Sequence, residues 1–188
     1  DIGLQRNVVS WNALISGLAQ FGNSEEVIES LEVMQNEGIS PDIVTFISSL
    51  RAFTIVEDLE KGQKLHKYIV MVGFDKDVVI GNTLVSLYAK CGAFTDAQYV
   101  LNGKLFQDEI SWTALITGYA EQGLGEQALC YYEQMLSEKL APDKVIIMCA
   151  LKACGNQGAT ARGGEIHAEI ESKGLLETHL YVGSTLVD

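Results

Sequence analysis

The sequence predicts an all-α fold, a right-handed α-solenoid of stacked antiparallel helical hairpins with repeats of 31–36 residues. Three observations lead there. The stretch from Val8 to Asp42 recurs at Glu109 to Asp143 with 14 of 35 positions identical and no gap, including Ser-Trp, Ala-Leu-Ile, two internal glycines and the closing Pro-Asp. The apolar residues within each copy follow helical spacing, with no β-alternation. The offset between the copies, 101 residues, is too long for one supersecondary unit, so other units must fill the interval. A hairpin that buries its apolar stripes only against its neighbours gives one continuous domain of stacked units.

Each unit has its own justification. Residues 1–7 read as the tail of a preceding repeat. In 8–42, Trp11, Leu14, Ile15 and Leu18 lie at i, i+3, i+4, i+7, one face of an amphipathic helix. Gly22 stands where such a helix closes in a left-handed cap, and Asn23-Ser24-Glu25-Glu26 supplies a cap residue and acids for the next helix. Val27, Ile28, Leu31 and Met34 mark that second helix, which Gly38 and Pro41 end.

Residues 43–77 hold a diverged pair of helices, marked by Phe46, Ile47, Leu50 and Phe53, then Leu65, Ile69 and Val72 before Gly73. Its counterpart is 144–179, with shared Gly62/Gly163, His66/His167 and Gly73/Gly174. Residues 78–108 form a shorter unit whose first helix, VVIGNTLVSLYAK, ends at Cys91-Gly92; Thr95-Asp-Ala-Gln98 has capping-box spacing for the second. Residues 180–188 restart that unit as LYVGSTLVD. The unit lengths run 35, 35, 31, 35, 36 and then a cut unit, so a triplet repeats nearly twice.

Bulk properties bound the function. The chain of 188 residues is 47% hydrophobic, enough for one domain or a short solenoid. No apolar run approaches the roughly 18 residues of a membrane span. The N-terminus reads as neither a signal nor a transit peptide and lacks an initiator Met, which suggests an internal stretch of a larger protein. Its end units would then expose apolar faces and leave it marginally soluble alone. The cysteines at 91, 130, 149 and 154 form no CxxC and read as buried thiols in a reduced compartment. The net charge of −12 argues, taken alone, against nucleic acid. Its distribution argues otherwise. The five first-helix windows (8–20, 43–55, 78–90, 109–121, 144–156) hold two acids and four bases, so they carry +2 while the remainder carries −14.

A 35-residue hairpin opening VVSWNALI and closing GISPD resembles the pentatricopeptide repeat. The 35/35/31 order is similar to the plant-type P, L, S subclass, with P-type repeats at 8–42 and 109–143, L-type at 43–77 and 144–179, S-type at 78–108, and the start of another S-type at 180–188. The tetratricopeptide hairpin is the nearest rival; the Pro-Asp ends and the 31-residue unit speak against it. The resemblance implies sequence-specific binding of single-stranded RNA, one base per repeat, in plastids or mitochondria. It implies service in C-to-U editing-site recognition, RNA stabilisation or processing, with no catalysis and no cofactor or metal of its own. In the family, the fifth and last residues of a repeat bond the base edge and the second packs against the base faces.

Carried over by position, the resemblance gives Asn12 with Asp42, Asn82 with Asp108, and Thr113 with Asp143 as base readers, and Val9, Val79 and Ile110 as packing residues. The family code reads these pairs as U over C, U over C, and G. Units two and five have apolar fifth residues, Ile47 and Met148, and read little; unit five ends in His179 instead of Asp, and unit six offers only Ser184. The implied RNA is 5′-(U>C)-N-(U>C)-G-N-3′. Arg51, Lys90 and Lys152 are candidate phosphate contacts.

Each of these residues also has a structural reading. Asn12 and Thr113 are equally first-turn polar residues, and the aspartates are helix-leading acids. Trp11 and Trp112 share the apolar stripe and read as hairpin packing. His167-Ala-Glu169 resembles the HxE of zinc deaminases, but no PCxxC follows, and the matching His66-Lys-Tyr has no Glu, so the histidine reads as a packing residue. The alternative function is a protein-binding scaffold in an organellar complex, using the acidic outer face and no RNA readout.

Overall fold

A computed structural model describes residues 7–103 and 108–156, together with residues 164, 166 and 168. Among them lie nine helices: α1 (Val8–Gln20), α2 (Ser24–Asn36), α3 (Ile43–Ile55), α4 (Leu59–Met71), α5 (Val78–Lys90), α6 (Phe94–Asn102), α7 (Glu109–Glu121), α8 (Gly125–Ser137) and α9 (Lys144–Asn156). The described residues form no strand. The chain divides into two compact units, Asp1–Phe106 and Gln107–Asp188.

Local chemistry explains where the first helix of each hairpin starts. An exposed helix N-terminus leaves backbone N–H groups without intrahelical partners, and a side-chain oxygen can accept from them. Asn7 and Ser10 form a reciprocal capping box on α1, as do Asp42 and Thr45 on α3. Asp77 accepts from the N–H groups of Val79 and Ile80, both at 3.0 Å, at the start of α5. Asp108 accepts from Ser111 N–H at 2.9 Å on α7, and Asp143 from Ile146 N–H at 2.8 Å on α9.

Second helices are treated differently. Asp58 caps α4 by accepting from Lys61 N–H at 3.1 Å. Asn23 occupies the cap position of α2 but makes no cap bond; its amide donates instead to Glu26 Oε2 at 3.2 Å. Helix α6 starts at Phe94 on an Ala93 cap, so Thr95 is already inside the helix and the capping box expected there does not form.

Turns within the hairpins use the left-handed region. Gly22 has φ of 68°, and the N–H of Asn23 reaches back to Leu18 O at 3.2 Å, closing α1 in a six-to-one bond. A Cβ on Gly22 would also lie 3.0 Å from Ile55 Cγ2 and 3.1 Å from Val56 Cγ1. The equivalent place in unit two is Glu57, which adopts a φ of 55° despite its side chain.

In the N-terminal unit, α1 packs on α3 and α3 on α5; α2 and α4 each pack on their own first helix and on the next one along, and α6 packs on α5. Trp11, Ile15, Phe46, Leu50, Phe53, Ile80 and Leu84 meet Val27, Leu31, Met34, Leu65 and Ile69 in a continuous buried core. Phe46 lies edge-on to Tyr68 and Phe74, with ring centroids 5.9 and 5.5 Å away. Gly62 lets α4 approach α5, since a Cβ there would run into Leu87 Cδ2. Leu14 departs from the expected stripe and is 48% exposed, whereas its equivalents Ser49 and Leu84 are buried. The reason is geometric: α3 and α5 have a first helix on that side, and no described helix packs there on α1. In the C-terminal unit, α7, α8 and α9 pack mutually around Trp112, Leu115, Tyr132, Met135 and Ile147.

Truncating Phe46 to Ala removes the ring from a fully buried site and is expected to cost about 3–5 kcal/mol in urea denaturation. Gly22→Ala combines a left-handed backbone with crowding against Ile55 and Val56, and is expected to cost about 1–2 kcal/mol in the same assay.

Candidate nucleic-acid interface

Because the last residue of a repeat caps the first helix of the next, and successive first helices lie side by side, the fifth and last residues of unit one are brought together. Asn12 Nδ2 donates to Asp42 Oδ1 at 2.9 Å and to Oδ2 at 3.1 Å. Asp42 at the same time accepts from Thr45 N–H at 3.0 Å. Burial alone would raise the Asp42 carboxyl, but the donors from Thr45 and Asn12 outweigh it and hold the group below the usual carboxylate range. The carboxylate is therefore ionised at neutral pH. Asn12 itself is 9% exposed, so little of the residue reaches solvent.

The C-terminal unit repeats the arrangement with different groups. Thr113 Oγ1 donates to its own helix at Glu109 O, 2.7 Å away, and lies 3.3 Å from Asp143 Oδ2. The second distance is long for a hydroxyl donor, so the pair is looser than that of unit one. Asp143 is exposed. One turn further along, matching polar pairs recur: Ser16 and Ser48 hydroxyls 2.8 Å apart on α1 and α3, Thr117 Oγ1 and Cys149 Sγ 3.9 Å apart on α7 and α9. Asn82 is buried on α5, and Asp108 caps α7; they belong to different compact units and are described separately.

The second residue of each first helix is an exposed aliphatic. Val9 and Val79 are 70% and 52% exposed and Ile110 is 65%. Val44 and Val145 are comparably exposed. The packing residues carried over from the resemblance do not include these two. Sequence reasoning also missed Thr45, although Asp-x-x-Thr after a repeat end is a capping-box spacing that would have found it. Ile47 and Met148 stand at the fifth positions of units two and five, half-buried.

Arg51, Lys90 and Lys152 are all exposed on first helices. A cluster of opposite charge lies elsewhere, on and beside second helices: Lys61 on α4 reaches Glu25 of α2 at 2.7 Å and Asp58 at 2.6 Å, and Lys64 reaches Glu60 at 2.7 Å. Four glutamates, 25, 26, 29 and 32, sit on α2 alone.

The reading of the tryptophans as packing residues holds. Trp11 and Trp112 are 4% and 1% exposed; Trp11 Nε1 donates to Glu37 at 3.1 Å, while Trp112 Nε1 is buried with no partner. His66 Nδ1 lies 2.8 Å from Tyr88 Oη across α4 and α5. Burial pushes its imidazole below the ordinary value, against the opposing charges of Asp96 and Asp75. Among the described residues, no group of three or more His, Cys, Asp or Glu could hold a metal, and no helix is long and apolar enough to cross a membrane. Cys154 is buried as expected, but Cys91 and Cys149 are only half-buried, and Cys130 is exposed on α8, so the expectation of four buried thiols does not hold. His167, Glu169, His179 and Ser184 lie outside the described residues.

Two family models match the chain, described as the PPR repeat family over residues 6–54 and the PPR repeat over residues 110–140. A chloroplastic pentatricopeptide repeat-containing protein of Arabidopsis thaliana is 33% identical over 187 residues, 100% of this chain and 30% of the relative. The chain belongs to the pentatricopeptide repeat family. A second chloroplastic pentatricopeptide repeat-containing protein of the same plant is 33% identical over 163 residues, covering 87% of this chain and 20% of the relative. The chain thus spans about a third or less of the curated relatives it matches.

The fold is that of the pentatricopeptide repeat protein PPR10 from maize, whose crystal structure matches with a TM-score of 0.75 at 21% identity, over 92% of this chain and 25% of that one. The crystal structure of PPR10 with an 18-nt psaJ RNA element matches with a TM-score of 0.79 at 22% identity, over 92% of this chain and 26% of that one.

The site itself has a pH signature. Asp42 has a folded pKa below its unfolded value of about 3.9, so its contribution to stability is full above that value and is lost as pH falls through the folded one. Asp42→Asn should therefore be less stable than the parent at pH 7, with the gap closing as pH drops below about 4, read from urea midpoints across that range.

Proposed function

We propose that this chain binds single-stranded RNA in a sequence-dependent way, one base per reading repeat, as part of a longer organellar protein. The observation that carries the proposal is the recurrence of a polar pair, Asn12 with Asp42 and Thr113 with Asp143, behind exposed aliphatics at Val9 and Ile110. An aliphatic that gains nothing from water suits the face of a base, and a polar pair beside it suits the edge. The complex of PPR10 with RNA and the chloroplastic relatives support the same reading.

The two pairs differ in a way that fits different bases. The Asn12 amide offers both a donor and an acceptor, which suits a pyrimidine edge. The hydroxyl hydrogen of Thr113 is used within its own helix, which leaves that site rich in acceptors: a hydroxyl oxygen and an exposed carboxylate. Guanine presents N1–H and N2–H donors on its Watson–Crick edge, and adenine offers fewer. With the S-type pair Asn82 and Asp108 included, the reading is 5′-(U>C)-N-(U>C)-G-N-3′. The 35/35/31 order supports a PLS-type array, with Arg51, Lys90 and Lys152 meeting phosphates. We place the parent protein in a plastid or mitochondrion, in editing-site recognition or in RNA stabilisation or processing.

Binding by this chain should be weak and salt-sensitive, because three phosphate contacts give a slope of log affinity against log salt of roughly −2. Fluorescence anisotropy at low salt should show tighter binding to the proposed RNA than to a scrambled one. Replacing G by A opposite unit four should weaken it. Unchanged affinity on that replacement would remove Thr113 and Asp143 from the code. No sequence preference at any salt would favour instead a protein scaffold using the acidic face of α2.

A further inference from the structure

The polar pair of unit one has a third member. Thr45, the third residue of α3, is fully buried. Its hydroxyl donates to Asn12 Oδ1 at 2.5 Å, accepts from the Asp42 N–H at 3.1 Å and lies 3.0 Å from Asp42 Oδ1. The Asn12 amide is therefore held at both ends, its oxygen by Thr45 and its nitrogen by Asp42. Amide oxygen and nitrogen are alike in shape and opposite in hydrogen bonding, so turning the group over would set Oδ1 against the Asp42 carboxylate and abandon the Thr45 bond.

This matters because uracil and cytosine differ by the same reversal. Uracil has a donor at N3 and an acceptor at position 4; cytosine has an acceptor at N3 and a donor at position 4. An amide able to rotate can match either edge, and one held by two partners presents its donor and acceptor in one order. We infer that Thr45 is a specificity-determining positioning residue, whose hydroxyl holds the Asn12 amide in the orientation that favours uracil over cytosine. The inference rests on the proposed RNA-reading role of Asn12 and Asp42.

The other pairing supports it. In the C-terminal unit the residue at the Thr45 position is Ile146, which is buried and has no hydroxyl. The fifth residue there is Thr113, which has no amide to orient. The hydroxyl accompanies the amide and is replaced by an aliphatic where no amide is present.

The test uses the full chain and two RNAs that differ only in U or C opposite unit one. The parent should prefer U, and Thr45→Val should reduce the U:C affinity ratio by about threefold or more, the worth of one hydrogen bond. Thr45→Ser, which keeps the hydroxyl, should retain the parent ratio. Thermal melts by circular dichroism check folding, and Thr45→Ala is the second hydroxyl-free variant should Val not be accommodated. Equal weakening for U and C would mean a purely structural role and overturn the inference, as would an unchanged ratio in a folded hydroxyl-free variant. A parent that does not distinguish U from C would remove the base-reading role of Asn12 and Asp42, and that of Thr45 with it.

Discussion

The residue that ends one repeat is the residue that starts the next helix, and much of this structure depends on that sharing. Asp42 closes unit one, caps α3 through Thr45 N–H and binds Asn12 on α1. A carboxylate at a helix N-terminus is stabilised by the unpaired N–H groups and the helix dipole. The cap fixes its position to within a hydrogen bond, and helix packing then fixes Asn12 against it. On the proposed function, the structural and functional readings of these aspartates are two uses of one oxygen pair. The same double role falls to Asp143, which caps α9 and faces Thr113.

A consequence is that neither polar pair, Asn12 with Asp42 or Thr113 with Asp143, is completed within one helix of one repeat. The fifth residue needs the neighbour's first helix beside it, just as its apolar stripe needs the neighbour's core. In the N-terminal unit, the first helices pack directly on one another while α2 and α4 approach through the Lys61 cluster at their N-termini. That difference segregates chemistry by layer. The first helices present aliphatics, amides, hydroxyls and a few bases; α2 presents four glutamates. The net charge of −12 is unevenly shared: the first-helix windows carry +2, with Glu109 and Glu121 of α7 their only acids, and the remainder carries −14. Short-range screening reinforces this, since exposed charges more than about 8–10 Å apart interact little in physiological salt.

How far the sequence was legible follows from the same physics. The five windows assigned to first helices coincide with α1, α3, α5, α7 and α9, because each is announced by a side-chain cap. Second helices were less legible. Asn23 and Thr95 have the right chemistry for caps, but Asn23 is drawn to Glu26 and Thr95 falls inside α6, whose N-terminus follows the short turn at Gly92-Ala93. Leu14 reads as core by periodicity and is half-exposed, because burial in a stacked array depends on neighbours that periodicity does not encode. Thr45 was missed for a related reason. Its hydroxyl acts across 33 positions on Asn12, and only the side-by-side packing of α1 and α3 reveals that.

Burial of Asn12 sharpens what kind of reading such a site allows. On the proposed function, Asn12 at 9% exposure cannot reach out to a base; a base would come to it, seated on the exposed aliphatics Val9 and Val44. Discrimination then comes from leaving a buried polar atom unpaired when the wrong edge arrives, a penalty larger than the gain from the right one. Thr113 and Asp143, more open and more loosely paired, can satisfy unmet hydrogen bonds with water. On this argument the amide site of unit one should discriminate more sharply than the hydroxyl site of unit four, even though both occupy the same place in the repeat.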